Sequence, residues 1–325
     1  MKVVVTGGGG FLGRRLVRAL LARGHLAGGA GQERAITRLT ILAREPVTGF
    51  DDPRVEALGG GVTDPDAVAG ALDGADSVFH LAAVVSAQAE QDFDLGTRVN
   101  VEGTRLLLEA ARRAARTPRF VFASSAAVFG ATLPPVVPEE WAPTPQTSYG
   151  TQKAIGELLV NDYSRKSFVD GRSVRIGMVV VRPGPANRAA SAFGSAVIRE
   201  PLAGEVYTCP VPPDTRVFVS SPATVVDNLI HAHELPADAF ADGNRIVTLP
   251  GLPQTVGAMV EALARVDPDA AARVRWETDP FVARIAAGWP GAIDTPRALA
   301  LGFRRDDAFE PIIRAFIAEQ QGAAP

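Results

Sequence analysis

Tyr149 and Lys153 stand four residues apart in the run SYGTQK, and on a helix that spacing returns to the same face. A phenol and an ammonium on one face make an acid/base pair. Free tyrosine, with a pKa of about 10, accepts a proton poorly at neutral pH. A neighbouring ammonium, and the positive ring of an oxidised nicotinamide, both favour the phenolate and lower that value. Ser125, in FASSAAVFG upstream, adds a hydroxyl that can hold a substrate oxygen while Tyr149 moves the proton. The chemistry these three residues suggest is hydride exchange with a nicotinamide cofactor, running faster in the oxidative direction as pH rises through the tuned phenol's pKa.

Residues so far apart in sequence need a scaffold that brings them together, and the chain opens with one. Met1 to Thr6 reads as a buried strand, with Val3, Val4 and Val5 in succession, and it runs straight into Gly7 to Gly10. Phe11, Leu12, Leu16, Val17, Leu20 and Leu21 then recur at helical spacing, with Gly24 as a stop. Glycines at 7, 10 and 13 permit a tight turn, backbone approach to a pyrophosphate and close helix packing, while the helix N-terminus faces the phosphates.

Apolar runs at 39–43, 77–80, 119–123 and 174–181 read as further strands, alternating with helical spacing at 104–115 and 155–164. Strand and helix in alternation predict an α/β fold, a Rossmann-type doubly wound parallel sheet. The expected division is a cofactor-binding domain over 1–182 and a smaller substrate-binding lobe over 183–325, with some late elements returning to the first domain. Gly24 to Glu33 reads as a loop. Prolines at 134, 135, 138, 143 and 145, just before the Tyr-Lys helix, mark loops of the kind that rim active sites. Short helices are expected at 256–266 and 309–318.

The whole-chain balance narrows the function further. With 33 basic and 36 acidic residues among 325, no basic stripe argues for nucleic acid. The longest apolar stretches are strand-sized, far short of a membrane span. A single cysteine, Cys209, fits a reducing compartment and a cytoplasmic enzyme. His25, His80, His231 and His233 lack metal-ligand spacing, so no metal is expected.

At this point the motifs resemble those of the extended short-chain dehydrogenase/reductase family. TGGGGFLG at 6–13, FHLAA at 79–83, NVEGT at 100–104, SSAAVFG at 124–130, YGTQK at 149–153 and VRPG at 181–184 fall in that family's order. Longer strings, HLAAVVSAQAEQDFDLG, SAFGSAVIREPLAG and WPGAIDTPRALALGF among them, are similar to its D-erythronate dehydrogenase branch. The resemblance implies oxidation of the C2 hydroxyl of a small sugar acid, with Tyr149 as base, Lys153 lowering its pKa and binding the nicotinamide ribose, and Ser125 holding the substrate oxygen. It also implies a supporting role for Asn100, which on physical grounds alone could simply cap a helix. Cofactor contacts carried over with it are Gly7, Gly10, Phe11, Leu12, Gly13, Leu81, Ala82, Ala83, Asn100, Tyr149, Lys153 and Pro183. Ser86 joins Ser125 on the substrate side, and a bidentate arginine is the usual partner of a carboxylate; Arg188 and Arg216, with Asn187, are the candidates. Members of the family commonly pair through the helices after Asn100 and from Tyr149, so a homodimer is expected. Leu106, Leu107, Ile155, Leu158 and Leu159 could serve that contact or face the sheet.

Two departures bear on specificity. NAD-preferring members end the second strand with an acid for the adenosine ribose, but here the strand ends in Ala43 and Arg44. Arg44 resembles the arrangement that meets a 2'-phosphate, which favours NADP within the NAD(P) class. Gly61 stands before Val62 where the family commonly has aspartate, leaving Asp64 or backbone groups to meet the adenine. In the substrate loop, Pro185 and Ala186 precede Asn187 where the branch tends to carry a basic residue. The competing readings are a nucleotide-sugar epimerase or dehydratase, a reductase of another carbonyl compound, and a cofactor-binding sensor without catalysis.

Overall fold

The computed structural model describes residues 1–28, 31–184, 190–240 and 242–322. A seven-stranded parallel sheet is built from β1 (Lys2–Thr6), β2 (Arg38–Leu42), β3 (Val55–Leu58), β4 (Ser77–His80), β5 (Arg119–Ser125), β6 (Asp170–Ile176) and β7 (Ile246–Thr248), in the order β3-β2-β1-β4-β5-β6-β7. Chain direction reverses its progress across the sheet between β1 and β4. In open α/β sheets a ligand binds at that switch point, outside the carboxyl ends of the strands. Val3 pairs with Leu39 on one side and Ser77 on the other, and Val3, Val4 and Val5 are wholly buried. This is the pattern of a central strand covered on both faces.

The helices start and stop where local chemistry dictates. α1 (Phe11–Arg23) ends at Gly24, whose φ of 73° is left-handed and whose N–H reaches the Leu20 carbonyl. Asp64 caps α2 (Pro65–Leu72) through Oδ1, 3.0 Å from the Asp66 N–H and 3.1 Å from that of Ala67. α3 (Gly103–Arg113) continues directly from a π-helical turn at Thr97–Glu102. α4 (Ser148–Arg165) starts behind Thr147, whose hydroxyl accepts from the Gly150 N–H at 3.1 Å.

The chain forms two compact units, one of residues 1–128, 147–175 and 226–248, the other of 129–146, 176–225 and 249–325. The first holds the large sheet, and its core joins Val4, Val78, Phe120 and Phe122 to Leu107 and Leu108 of α3 and Val160 of α4. In the second, strands Met178–Val179, Arg216–Ser220 and Leu252–Thr255 pair as a small sheet. Phe193, Val197, Met259 and Ile313, from three helices of that unit, are central in its core.

Several local readings change. Gly24 to Glu33 is not simply a loop: His25–Ala27 and Glu33–Ala35 form an antiparallel pair around a buried Leu26. Only one side chain of that pair is buried, so no alternating pattern announced it. The run 174–181 is two strands, broken at Gly177, where a Cβ would lie 2.7 Å from the Phe218 carbonyl oxygen. β3 and β7 are not legible in the sequence: β3, unlike the equally short β4, has no fully buried residue to give an apolar run, and three residues of β7 carry too little periodicity. The doubtful leucines divide: Leu107 is in the core, Leu106 and Leu159 pack against it, and Leu158 is 67% exposed with Ile155 beside it at 37%. Among the described residues no helix is long and apolar enough to cross a membrane.

Candidate active site

Gly7 follows β1 with φ of 70°, and a Cβ there would stand 2.7 Å from the Ala82 backbone nitrogen. A Cβ on Gly13 would collide with the Gly7 carbonyl oxygen. The Gly10 N–H closes the turn onto that same carbonyl at 2.9 Å. Gly10 is the N-cap of α1 and supplies no side-chain cap, so the first-turn N–H groups, including those of Phe11 and Leu12, are left to an external acceptor. Bare backbone at the positive end of a thirteen-residue helix fits a pyrophosphate. Arg14 braces this loop: its Nε donates to the Gly9 carbonyl at 3.1 Å and its Nη1 to that of Thr48 at 3.0 Å. Arg44 is exposed just beyond β2, with its carbonyl accepting from the Gly60 N–H at 3.1 Å. Asp64 commits Oδ1 to capping α2.

A buried hydrogen-bond chain leads from this loop to Asn100. The Ala82 N–H donates to Thr6 Oγ1 at 3.2 Å, Thr6 Oγ1 meets His80 Nδ1 at 2.7 Å, and His80 Nε2 meets Thr104 Oγ1 at 2.8 Å. Thr104 Oγ1 itself donates to the Asn100 carbonyl at 2.7 Å. With its proton spent there, Thr104 accepts from His80, which assigns the imidazole proton to Nε2 and makes Thr6 the donor to Nδ1. Burial, helped by the charge of Lys153, pulls the His80 pKa down to about 3. The ring is therefore neutral wherever the enzyme works.

Asn100 lies in the π-helical turn, 2% exposed, and caps no helix. Its Oδ1 accepts from the Val84 N–H at 2.8 Å, while Nδ2 donates to the Val84 carbonyl at 2.9 Å and to Gln152 Oε1 at 2.7 Å. It thus fixes the segment after β4, which carries Leu81, Ala82 and Ala83, against α4. On that helix Tyr149 is half-buried and Lys153 only 3% exposed. Lys153 Nζ lies 5.7 Å from the centre of the Tyr149 ring and 4.7 Å from that of Phe122, and donates to the Ala123 carbonyl at 2.8 Å. Burial pulls the ammonium's pKa down to about 8, against the raising effect of Glu157. Ser125 ends β5, half-buried, two residues beyond that carbonyl, with Oγ accepting from the Ala127 N–H at 3.1 Å. The end of β5 and one face of α4 therefore carry Ser125, Tyr149 and Lys153.

The remaining candidates are more dispersed. Ser86 begins a short helix at Ser86–Gln91 in the first unit. Pro183 is exposed in the second unit, and Arg216 starts a strand there, its Cβ against Gly291. Asn187 and Arg188 lie outside the described residues. Thr6, His80, Thr104 and Gln152 lie inside the motifs at 6–13, 79–83, 100–104 and 149–153, but only their contacts give them a role. Sequence reading passed over Glu157, although Tyr149, Lys153 and Glu157 recur every four residues and so share one helix face.

The model of the NAD dependent epimerase/dehydratase family matches residues 3–218. The D-erythronate dehydrogenase of Cupriavidus necator is 50% identical over 326 aligned residues, with each chain covered in full. Its counterpart in Haemophilus influenzae is 44% identical over 98% of this chain and 99% of its own. A crystal structure described as the nucleoside-diphosphate-sugar epimerase of Agrobacterium tumefaciens superposes with a TM-score of 0.93 at 38% identity, covering 100% of this chain and 95% of that one.

Proposed function

This chain belongs to the NAD dependent epimerase/dehydratase family, enzymes that act on CH–OH groups with a nicotinamide cofactor, and from that premise we propose that it oxidises D-erythronate at C2 to the 2-oxo acid. The observation that carries this reading is identity of 50% and 44% along the whole chain to two proteins described as D-erythronate dehydrogenase. A nicotinamide cofactor held by the glycine turn would supply the hydride acceptor for C2. Tyr149 removes the hydroxyl proton, Ser125 holds the oxygen that loses it, and Lys153 favours the phenolate through its charge. Asn100, through Val84 and Gln152, keeps the segment after β4 in register with the catalytic helix.

The glycine turn and the first turn of α1 are the proposed pyrophosphate cradle, with Gly7, Gly10, Phe11, Leu12, Gly13 and Leu81 to Ala83, and Pro183 among the proposed cofactor contacts. NADP is the proposed preference, supported by an exposed arginine, Arg44, where an acid would favour NAD. Asp64, whose Oδ2 lies beside Gly60, is proposed at the adenine end. Ser86, Asn187, Arg188 and Arg216 are the proposed substrate contacts, and residues 183–325 are proposed to supply most of the substrate lobe. The exposed Ile155 and Leu158 of α4 support a homodimer built on that helix, and the lone buried Cys209 suits the cytoplasm.

Initial rates at 340 nm with D-erythronate and related four- and five-carbon hydroxy acids, each with NAD and NADP, test this. Reduction of NADP by D-erythronate is expected. The likeness to the Agrobacterium structure favours one rival, an epimerase that returns the hydride to its substrate; it would show epimerised nucleotide sugar and no net change at 340 nm.

A further inference from the structure

Glu157 follows Lys153 by four residues on α4 and is 1% exposed. A carboxylate so deeply buried must be satisfied on every side, and it is. Ser124 Oγ donates to Oε1 at 2.6 Å, Arg175 Nε donates to the same oxygen at 2.9 Å, and Arg175 Nη2 donates to Oε2 at 2.8 Å. Ser124 lies between Ala123, whose carbonyl receives Lys153, and Ser125. The carboxylate therefore joins three elements, α4, β5 and β6, immediately behind the catalytic residues.

We propose that Glu157 is a positioning residue of the reaction: clamped by Ser124 and Arg175, it supplies the buried counter-charge that holds Lys153 as an ammonium on the Ala123 carbonyl. This rests on the reading of Lys153 as the cation beside Tyr149. The groups facing Lys153 show why it is needed. Tyr149 and Glu157 lie on its own helix, Phe122 and the Ala123 carbonyl on β5, and neutral His80 on β4. Asn100 and Gln152 are uncharged amides, and the Arg175 guanidinium beyond Glu157 on β6 is itself a cation. With Tyr149 as the neutral phenol, Glu157 alone among these groups brings a negative charge. Burial works against the ammonium and Glu157 works for it. Arg175 and Ser124 in turn fix where the carboxylate sits, so that its field falls on Nζ without its oxygens drawing Lys153 off the Ala123 carbonyl.

The chain has three lysines, Lys2, Lys153 and Lys166, so carbon-13 labelling at lysine Cε resolves the titration of each by NMR in the full-length protein. Loss of one resonance in Lys153→Ala assigns it. In Glu157→Gln the Lys153 titration is expected to move down by about one pH unit, and the alkaline fall of kcat/KM to move with it, while circular dichroism stays native. The single variant leaves Arg175 buried without its partner, so Glu157→Gln/Arg175→Gln, which keeps amides but no charge, is measured alongside and is expected to shift the same way. A Lys153 titration that stays in place in either folded variant overturns the proposal. Failure of D-erythronate to reduce the cofactor, with the NMR shift present, would leave the role of Glu157 standing and refute only the substrate assignment.

Discussion

Asn100 Nδ2 and Gln152 Oε1 are 2.7 Å apart, joining a π-helical turn to the helix that carries Tyr149 and Lys153. The same asparagine holds both backbone groups of Val84. Asn100→Ala strips three buried hydrogen bonds and leaves the Val84 N–H and carbonyl without that partner, at about 1–3 kcal/mol for each buried group left unsatisfied. Urea unfolding is expected to show a loss of that order. Steady-state kinetics should show kcat falling more than tenfold, since Tyr149 and Lys153 ride on the loosened helix. Wild-type stability in this variant would show that Val84 finds another partner.

Tyr149→Phe removes the proposed base but keeps the ring beside Lys153. The turnover number is expected to fall by a factor on the order of 1000, while cofactor affinity by fluorescence titration changes little. Turnover within tenfold of wild type would assign the proton transfer to another group.

Arg44 tests the cofactor preference. A charge-assisted bond to a 2'-phosphate contributes about 1.5–3 kcal/mol, so Arg44→Ala is expected to raise the Michaelis constant for NADP about tenfold or more and that for NAD less than about twofold. Equal changes in the two constants would remove Arg44 from the cofactor site.

The rate profile should be two-sided. In the proposed mechanism oxidation needs the Tyr149 phenolate, so kcat/KM is expected to rise with pH on the acid side. Lys153 must stay charged, and burial has brought its pKa to about 8 in the free chain; as pH passes that value the ammonium is lost and kcat/KM falls. Only the free enzyme's groups appear in this parameter. A profile still climbing at pH 10 would mean that Lys153 is not required as a cation.

Acid should unfold the protein early, before carboxylates titrate. His80 and His233 are both wholly buried, with pKa values pushed down: to about 3 for His80 by burial and Lys153, and well below the usual value for His233 by burial and then Arg172, Arg119 and Arg23. The unfolded chain binds these protons near pH 6.5 and the folded chain does not, so their contribution is fully present above that pH and falls as pH drops below it. Each histidine contributes a slope of about 1.4 kcal/mol per pH unit. Urea midpoints measured from pH 7 to pH 5 check this, and a level stability over that window would show that the rings gain protons while folded.

What the sequence determined by itself is the part of the molecule that repeats in a short window. Val3 to Val5 ahead of Gly7, Gly10 and Gly13 mark a strand, turn and helix, because burial on both sides and close backbone approach each demand particular residue types. Tyr149 and Lys153 were legible as one face of one helix for the same reason. Tertiary structure decided the rest, because it depends on partners distant in sequence. Glu157 looks like any helical carboxylate until Ser124 and Arg175, 33 and 18 residues away, close on it. His80 looks like a lone strand-end histidine until Thr6 and Thr104 fix its tautomer from 74 and 24 residues away. Asn100 was open between cap and support because both suit an asparagine near a helix start; the Val84 backbone and Gln152, brought to it only by the folded sheet, took up all its hydrogen-bonding capacity but one lone pair. Hydrogen bonds act over three ångströms, and no pattern in the chain records which distant groups the fold will bring that close.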